Sequence, residues 1–320
     1  MAGRTGHLSE GCLGANHPSQ EHREGVSVEP IHGVHGILHI KAQHSSPDSR
    51  GKSMTAEESL KEGRLEEALK TLQSVVREDP ANAKPRIFLF QLLSVLGDWQ
   101  RANTQLQVLS QMDSDSMMLA RIFEPILLCE AFRADVFAGK RTPVIFGQPP
   151  EWISFLVQAM EHFGKNEFKA GAELRDQAFD AAPESEGKIN GEAFDWIADA
   201  DERLGPVLEV ILEGRYYWIP FCRIRQVFIE PATDLRDLVW VPAQFLWENG
   251  GQAAGHIPSR YPGTEQSDNG QLKLARKTEW VGKHGVHLGL GQRILATNAG
   301  EYPLLEIRRI EFTVPEAAAA

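Results

Sequence analysis

Residues 63 to 107 repeat themselves. GRLEEALKTLQ (Gly63 to Gln73) is answered by GDWQRANTQLQ (Gly97 to Gln107), 34 residues further on. Gly63 falls on Gly97, Ala68 on Ala102, and Leu72 on Leu106. A period of 34 built from helix, turn and helix is the tetratricopeptide spacing. Such units bury their apolar faces only by stacking on neighbours, and the stack leaves a groove for a partner. A chain built this way is expected to hold another protein rather than to perform a reaction.

Thr55 followed by Glu58 fits a capping box, so helical structure is expected just after Met54. Leu65, Ala68, Leu69, Leu72, Val75 and Val76 form one helical stripe, stopped by Asp79 and Pro80. Residues 83–96 are apolar on most sides and belong in the middle of the stack. Gly97 and Asp98 turn the chain, and Trp99, Ala102, Leu106 and Leu109 form the answering stripe. The small Ala68 and Ala102 suit positions where paired helices cross closely. A long apolar helix follows over 117–138, interrupted or begun at Pro125, and then a loop over 138–150. Helices over 151–163 and 167–181 form a third, degenerate repeat. There Phe168, Gly171, Ala178 and Pro183 stand near the positions of Leu65, Ala68, Val75 and Pro80.

The period changes after about Gly191, where short apolar runs separated by turns replace the stripes. Residues 207–214 and 215–221 read as a hairpin around Glu213 and Gly214. Residues 223–230, 237–247, 252–258, 286–297 and 302–312 are further strand candidates. The pattern predicts an α+β chain. A tetratricopeptide-like helical repeat domain spans 54–188 and a mainly antiparallel β domain spans 189–315. Residues 1–53 read as a disordered or non-native extension ahead of a true start at Met54, and 316–320 as a tail.

Composition excludes several function classes. The net charge of −11 disfavours nucleic acid as a partner. No apolar run reaches the length of about 18 residues that spans a bilayer, so no membrane insertion is expected. The first 30 residues lack the apolar segment of a secretory signal. Cys12, Cys129 and Cys222 are odd in number and far apart. This argues against disulfides and zinc and for a reducing compartment. Residues 1–53 hold seven of the eleven histidines, among them His32, His35 and His39. Gly33 and Gly36 between those three, and the lack of a helping carboxylate, weigh against a metal site there.

The stretch 194–206 has the densest functional look, with Asp195, Asp199, Asp201 and Glu202. Clustered carboxylates can hold Mg²⁺ or Ca²⁺. This makes a metal- or nucleotide-binding regulator using Asp195 to Asp201 the alternative reading, but no EF-hand or phosphate-loop spacing accompanies them. An acidic linker or partner surface, with Trp196 and Arg203, is favoured. Arg215, Tyr216, Tyr217 and Trp218 place aromatics on both faces of one strand. One face is expected in the core and the other exposed as an interface anchor. The glycines of GLGQR (Gly289 to Arg293) mark a bulge or bend rather than a nucleotide loop. No catalytic set emerges and no cofactor is expected.

From about Thr55 to Phe312 the chain resembles the ImpE family, also called TagJ or SciE-type proteins, of bacterial type VI secretion systems. The resemblance rests on residues 88–107, 133–147 and 194–221, extended by 234–243, 274–280 and 288–312. It implies a cytoplasmic, non-catalytic accessory adaptor. Its implied partners are the small subunit of the contractile sheath and the AAA+ ATPase that disassembles and recycles that sheath. Either the concave helical face or the β surface would take up an amphipathic helix of the sheath subunit.

Overall fold

The computed structural model describes residues 55–313. The histidine-rich segment, Met54 and the terminal tail lie outside them.

The chain opens with α1 (Ala56–Lys61), whose Thr55–Glu58 capping box is formed in both directions. Next come α2 (Leu65–Glu78), α3 (Ala83–Leu96) and α4 (Trp99–Leu109). Asn82 caps α3 and Asp98 caps α4, each accepting a free N–H of the first turn. Gly97 ends α3 in the left-handed conformation, φ 76°. Ala68, Ala102 and Leu106 are completely buried, as the repeat requires.

α5 (Ser114–Phe137) runs through Pro125 without a break. Pro125 cannot donate to the carbonyl four residues back, but Arg121 is exposed and that carbonyl can bond water. α6 (Trp152–Gly164) and α7 (Phe168–Ala181) form the third pair. At the position matching Ala68, a Cβ on Gly171 would lie 2.5 Å from the Phe163 ring. The requirement for a small residue at the crossing therefore recurs even where the repeat has faded.

The β region is one large sheet with two small additions. The expected hairpin forms as β5 (Val207–Leu212) and β6 (Arg215–Pro220), turning at Glu213 and Gly214 with φ 49° and 71°. β7 (Ile224–Ile229), β8 (Trp240–Trp247) and β9 (Gln252–Pro258) follow the strand candidates. The short β1 (Val144–Ile145), β2 (Gly187–Ile189), β3 (Glu192–Phe194) and β4 (Ile197–Asp199) were not expected. The remaining strands are β10 (Thr278–Lys283), β11 (Val286–Gly291), β12 (Ile294–Thr297), β13 (Glu301–Pro303) and β14 (Arg309–Phe312), with a short helix α8 (Gly270–Lys273) ahead of β10. The large sheet has the order β1-β6-β5-β9-β8-β7-β14-β2-β3. It is antiparallel except where β1 runs parallel to β6. β13-β12-β4 form a second sheet and β10-β11 a third.

All six residues of β5 are buried, so its sequence shows no alternation. Val207 and Ile211 join the core shared with the helices, whereas Leu208, Val210 and Leu212 join a core within the β region. The change of period after about Gly191 is thus a change of secondary structure within continuous packing. Trp240 of β8 packs 5.8 Å from Trp99 and 6.1 Å from Phe123, centroid to centroid.

That packing fills the inner face of the stack. The turn Leu235–Leu238 sits on α3, with the Leu235 N–H donating to Gln91 at 3.1 Å. The Arg260 guanidinium donates to the carbonyls of Val95 (2.7 Å) and Ser94 (3.3 Å) in the last turn of α3, where carbonyls run short of helical donors. α5 lies over β6, where Phe132 meets Tyr216 and Phe137 meets Trp218. The chain's own β region therefore covers α3 and α5 where these contacts lie.

Candidate functional site

The acidic stretch is not a linker. Asp199 ends β4 and Asp201 lies just beyond it, and both side chains are buried. Asp199 pairs with Arg293, and its other oxygen accepts the Asp201 N–H at 2.9 Å. Asp201 accepts two bonds from the Arg203 guanidinium, at 2.8 and 2.6 Å, and the Gly289 N–H at 2.9 Å. Arg203 in turn lies over the Phe137 ring, 4.9 Å from its centroid.

The centre of this arrangement is Glu209 on β5. It accepts from Arg133 of α5 at 2.6 and 3.0 Å, from Arg293, and from the Tyr216 hydroxyl at 2.5 Å. That hydroxyl accepts from Trp218 Nε1 at 2.7 Å. Glu130, one turn before Arg133, accepts from Trp240 Nε1 at 2.6 Å. Arg133 also donates to the Arg260 carbonyl at 2.8 Å. Four carboxylates (Glu130, Asp199, Asp201, Glu209) therefore pair with three guanidinium groups (Arg133, Arg203, Arg293), all buried except Arg203, which is half-buried, while the buried Arg260 guanidinium donates to the carbonyls of Ser94, Val95 and Lys273.

Burial opposes ionisation of Glu209, but Arg133 and Arg293 outweigh it and hold its pKa down at about 2. Asp199 goes the other way. Burial pushes it up to about 6, more than Arg293 can offset with Asp201 and Glu209 nearby. Burial, then the neighbouring Glu130, pushes the Cys129 thiol up to about 12, so it is inert as a nucleophile.

These positions correct the sequence expectation. Asp199, Asp201, Arg203, Tyr216 and Trp218 serve the interior as folded and do not form an outward surface. Of the strand Arg215 to Trp218, only Arg215 is exposed and Tyr217 is half-buried, because sheet packing covers both faces of β6. Asp195 and Trp196 do reach the surface, Trp196 with 40% of its area exposed. Asp195 is pinned to the β12–β13 turn through two bonds with Asn298, at 2.8 and 2.9 Å. The three aspartates are each engaged separately, and among the described residues no cluster suits a metal ion.

Sequence reasoning missed Glu130, Arg133, Glu209, Arg260 and Arg293. The available signal was a charge inside an apolar run: Glu209 within VLEVIL, and Arg133 within CEAFRADVF. A charge so placed must be paired in the interior. Also missed was Leu128 of α5, 73% exposed and the most exposed large apolar side chain described. On the same stretch of α5, Pro125 and Cys129 carry the β5–β6 turn. A Cβ on Gly214 would meet Pro125 at 2.5 Å, and the Cys129 thiol donates to the Gly214 carbonyl at 3.2 Å. Exposed Arg215 follows that turn directly.

The ImpE protein family profile matches residues 191–311, and a tetratricopeptide repeat profile matches residues 59–122. The chain is 47% identical over 265 residues to the type VI secretion system accessory component TagJ of Pseudomonas aeruginosa. The match covers 83% of this chain and 93% of that protein. The chain belongs to the ImpE family. The crystal structure of protein VPA1032 from Vibrio parahaemolyticus is similar in fold, with a TM-score of 0.75 and 26% identity over 82% of this chain and 98% of that one. The ImpE match covers Asp199, Asp201, Arg203, Glu209, Arg260 and Arg293, whereas Glu130 and Arg133 lie beyond both profiles. The tetratricopeptide match ends within α5, so the third helix pair is outside it. No helix of the described residues is long and apolar enough to cross a membrane.

Proposed function

We propose that the chain is a cytoplasmic, non-catalytic adaptor of a type VI secretion system. It binds the small subunit of the contractile sheath and assists recycling of the sheath by the AAA+ disassembly ATPase. The observation that supports this reading most is the 47% identity, over most of both chains, to an accessory component of such a system. The interior supports it as well. Asp199, Asp201 and Glu209 are paired with Arg293, Arg203 and Arg133, which leaves these carboxylates engaged in holding the fold together.

The partner surface belongs on the outside. Leu128, with Arg215 beside the β5–β6 turn, offers an apolar contact flanked by charge, the composition of an interface anchor. Asp195 and Trp196 form the second exposed candidate. An amphipathic helix of the sheath subunit laid along α5 would place its anchors at i, i+3, i+4 and i+7. Isothermal calorimetry with the cognate sheath subunit and, separately, the ATPase N-domain tests the proposal. Saturable binding of micromolar strength or tighter, on the order of −8 kcal/mol, is expected for the sheath subunit.

A further inference from the structure

β10 has a strand on one side only. It pairs with β11 from Thr278↔Gly291 to Lys283↔Val286, and among the described residues no strand lies on its other side. Trp280, Val281, Gly282 and Lys283 are all exposed. The Gln292 N–H donates to the Lys277 carbonyl at 3.0 Å, in the same register. Odd-numbered residues of β10 therefore bond to β11, and the backbone groups of Thr278, Trp280 and Gly282 point outward. The two-residue turn His284-Gly285, with φ 50° and 85°, fixes that register.

We propose that this edge pairs with β10 of a second copy of the chain, giving a continuous sheet β11-β10-β10-β11. One antiparallel register satisfies backbone, charge and shape together. With Val281 opposite Val281 on the two-fold axis, Trp280 and Gly282 face each other as hydrogen-bonded pairs, which their outward backbone groups allow. Glu279, which also pairs with Lys277 of its own chain, then falls opposite Lys283 of the second copy, whose ammonium lies 5.7 Å over its own Phe168 ring, twice by symmetry, with Val281 between the two pairs on one face. On the other face each Trp280 ring, which packs 5.7 Å from Tyr261 of its own chain, lies opposite the bare Gly282, the way an aromatic offsets a glycine across a pair of strands. Charged residues usually blunt an edge against foreign strands. Here the same charges are complementary across the two-fold axis, an isologous contact. A contact along one six-residue strand is small, so the dimer is expected to be weak and populated only at higher concentration.

Sedimentation velocity of the full chain over a concentration series tests this. A monomer–dimer equilibrium is expected. Glu279→Lys and Lys283→Glu should each weaken it about tenfold, and the double exchange should restore it. Val281→Cys should form a disulfide-linked dimer on mild oxidation, because a non-hydrogen-bonded pair brings the two Cα atoms about 4.5 Å apart. A monomer throughout the series overturns the proposal. So does a dimer that ignores both charge reversals, or a Val281→Cys chain that dimerises without cross-linking. Circular dichroism of each variant confirms that the fold is kept.

Discussion

Replacing Glu209 by Gln probes how the helices are held to the sheet. Glu209 is completely buried and is the shared counter-charge of Arg133 and Arg293. Glutamine keeps the shape and one acceptor oxygen for the Tyr216 hydroxyl, but it turns an amide NH₂ toward a guanidinium. Breaking a buried ion pair costs about 3–5 kcal/mol. Arg133 retains Glu130 and Arg293 retains Asp199, which puts the expected loss at the low end, about 3 kcal/mol. At about 2–4 °C per kcal/mol for a chain of this size, Tm should fall by roughly 10 °C. Urea unfolding at neutral pH, followed by the fluorescence of the nearby Trp218 and Trp240, reads the loss directly. An exposed pair such as Lys277–Glu279 serves as control, with less than about 1 kcal/mol expected for Lys277→Ala. If Glu209→Gln costs no more than that control, the network is not what fastens helices to sheet.

Three further outcomes follow from the geometry. Gly97 and Gly250 both have positive φ (76° and 81°), but a Cβ on Gly97 would lie 2.5 Å from Glu265 whereas Gly250 faces open space. Gly97→Ala should therefore cost clearly more than the about 1 kcal/mol of strain expected for Gly250→Ala, and equal melting temperatures would contradict the packing described. Asp199 has a raised native pKa, so between its ordinary 3.8 and about 6 the folded chain holds a proton that the unfolded chain has released. Its contribution to stability is then present at pH 4 and lost as pH rises to 6, by about 3 kcal/mol at most, and Asp199→Asn should remove that part of the slope. An unchanged slope between pH 4 and 6 in urea titrations of the variant speaks against the assignment. Ala102→Leu should destabilise by about 1–3 kcal/mol, because Ala102 is fully enclosed where α3 and α4 cross. A neutral result in thermal melts would mean the crossing has room.

The helices were legible because their signals are local. The capping box at Thr55, the stop at Asp79 and Pro80, and the Gly97 turn each act within a few residues, and the stripes of Leu65 and Leu106 repeat at 3.6. Hairpin β5–β6 was legible from Glu213-Gly214 alone. Strands such as β1 and β4 were not, since two or three residues carry no period and exist only through distant partners: Val144 beside Tyr217, Asp199 beside Leu295. The site was the least legible. Asp199 and Asp201 look like a surface cluster in one dimension, and their distant partners, Arg293 for Asp199 and the Gly289 N–H for Asp201, arrive only some ninety residues later. The cover over α3 was hidden for the same reason, because nothing local in α3 tells that Leu235 and Arg260 return to it.

The proposed adaptor carries its partner on the outer surface, along α5. Calorimetric titration of the full chain with its cognate sheath small subunit tests this most directly, run beside Leu128→Glu. Saturable heat for the wild type, weakened at least tenfold by the variant, is the predicted result, a difference of about 1.4 kcal/mol. No heat and no co-elution with the wild type would contradict the adaptor reading, and equal heats would move the partner away from α5.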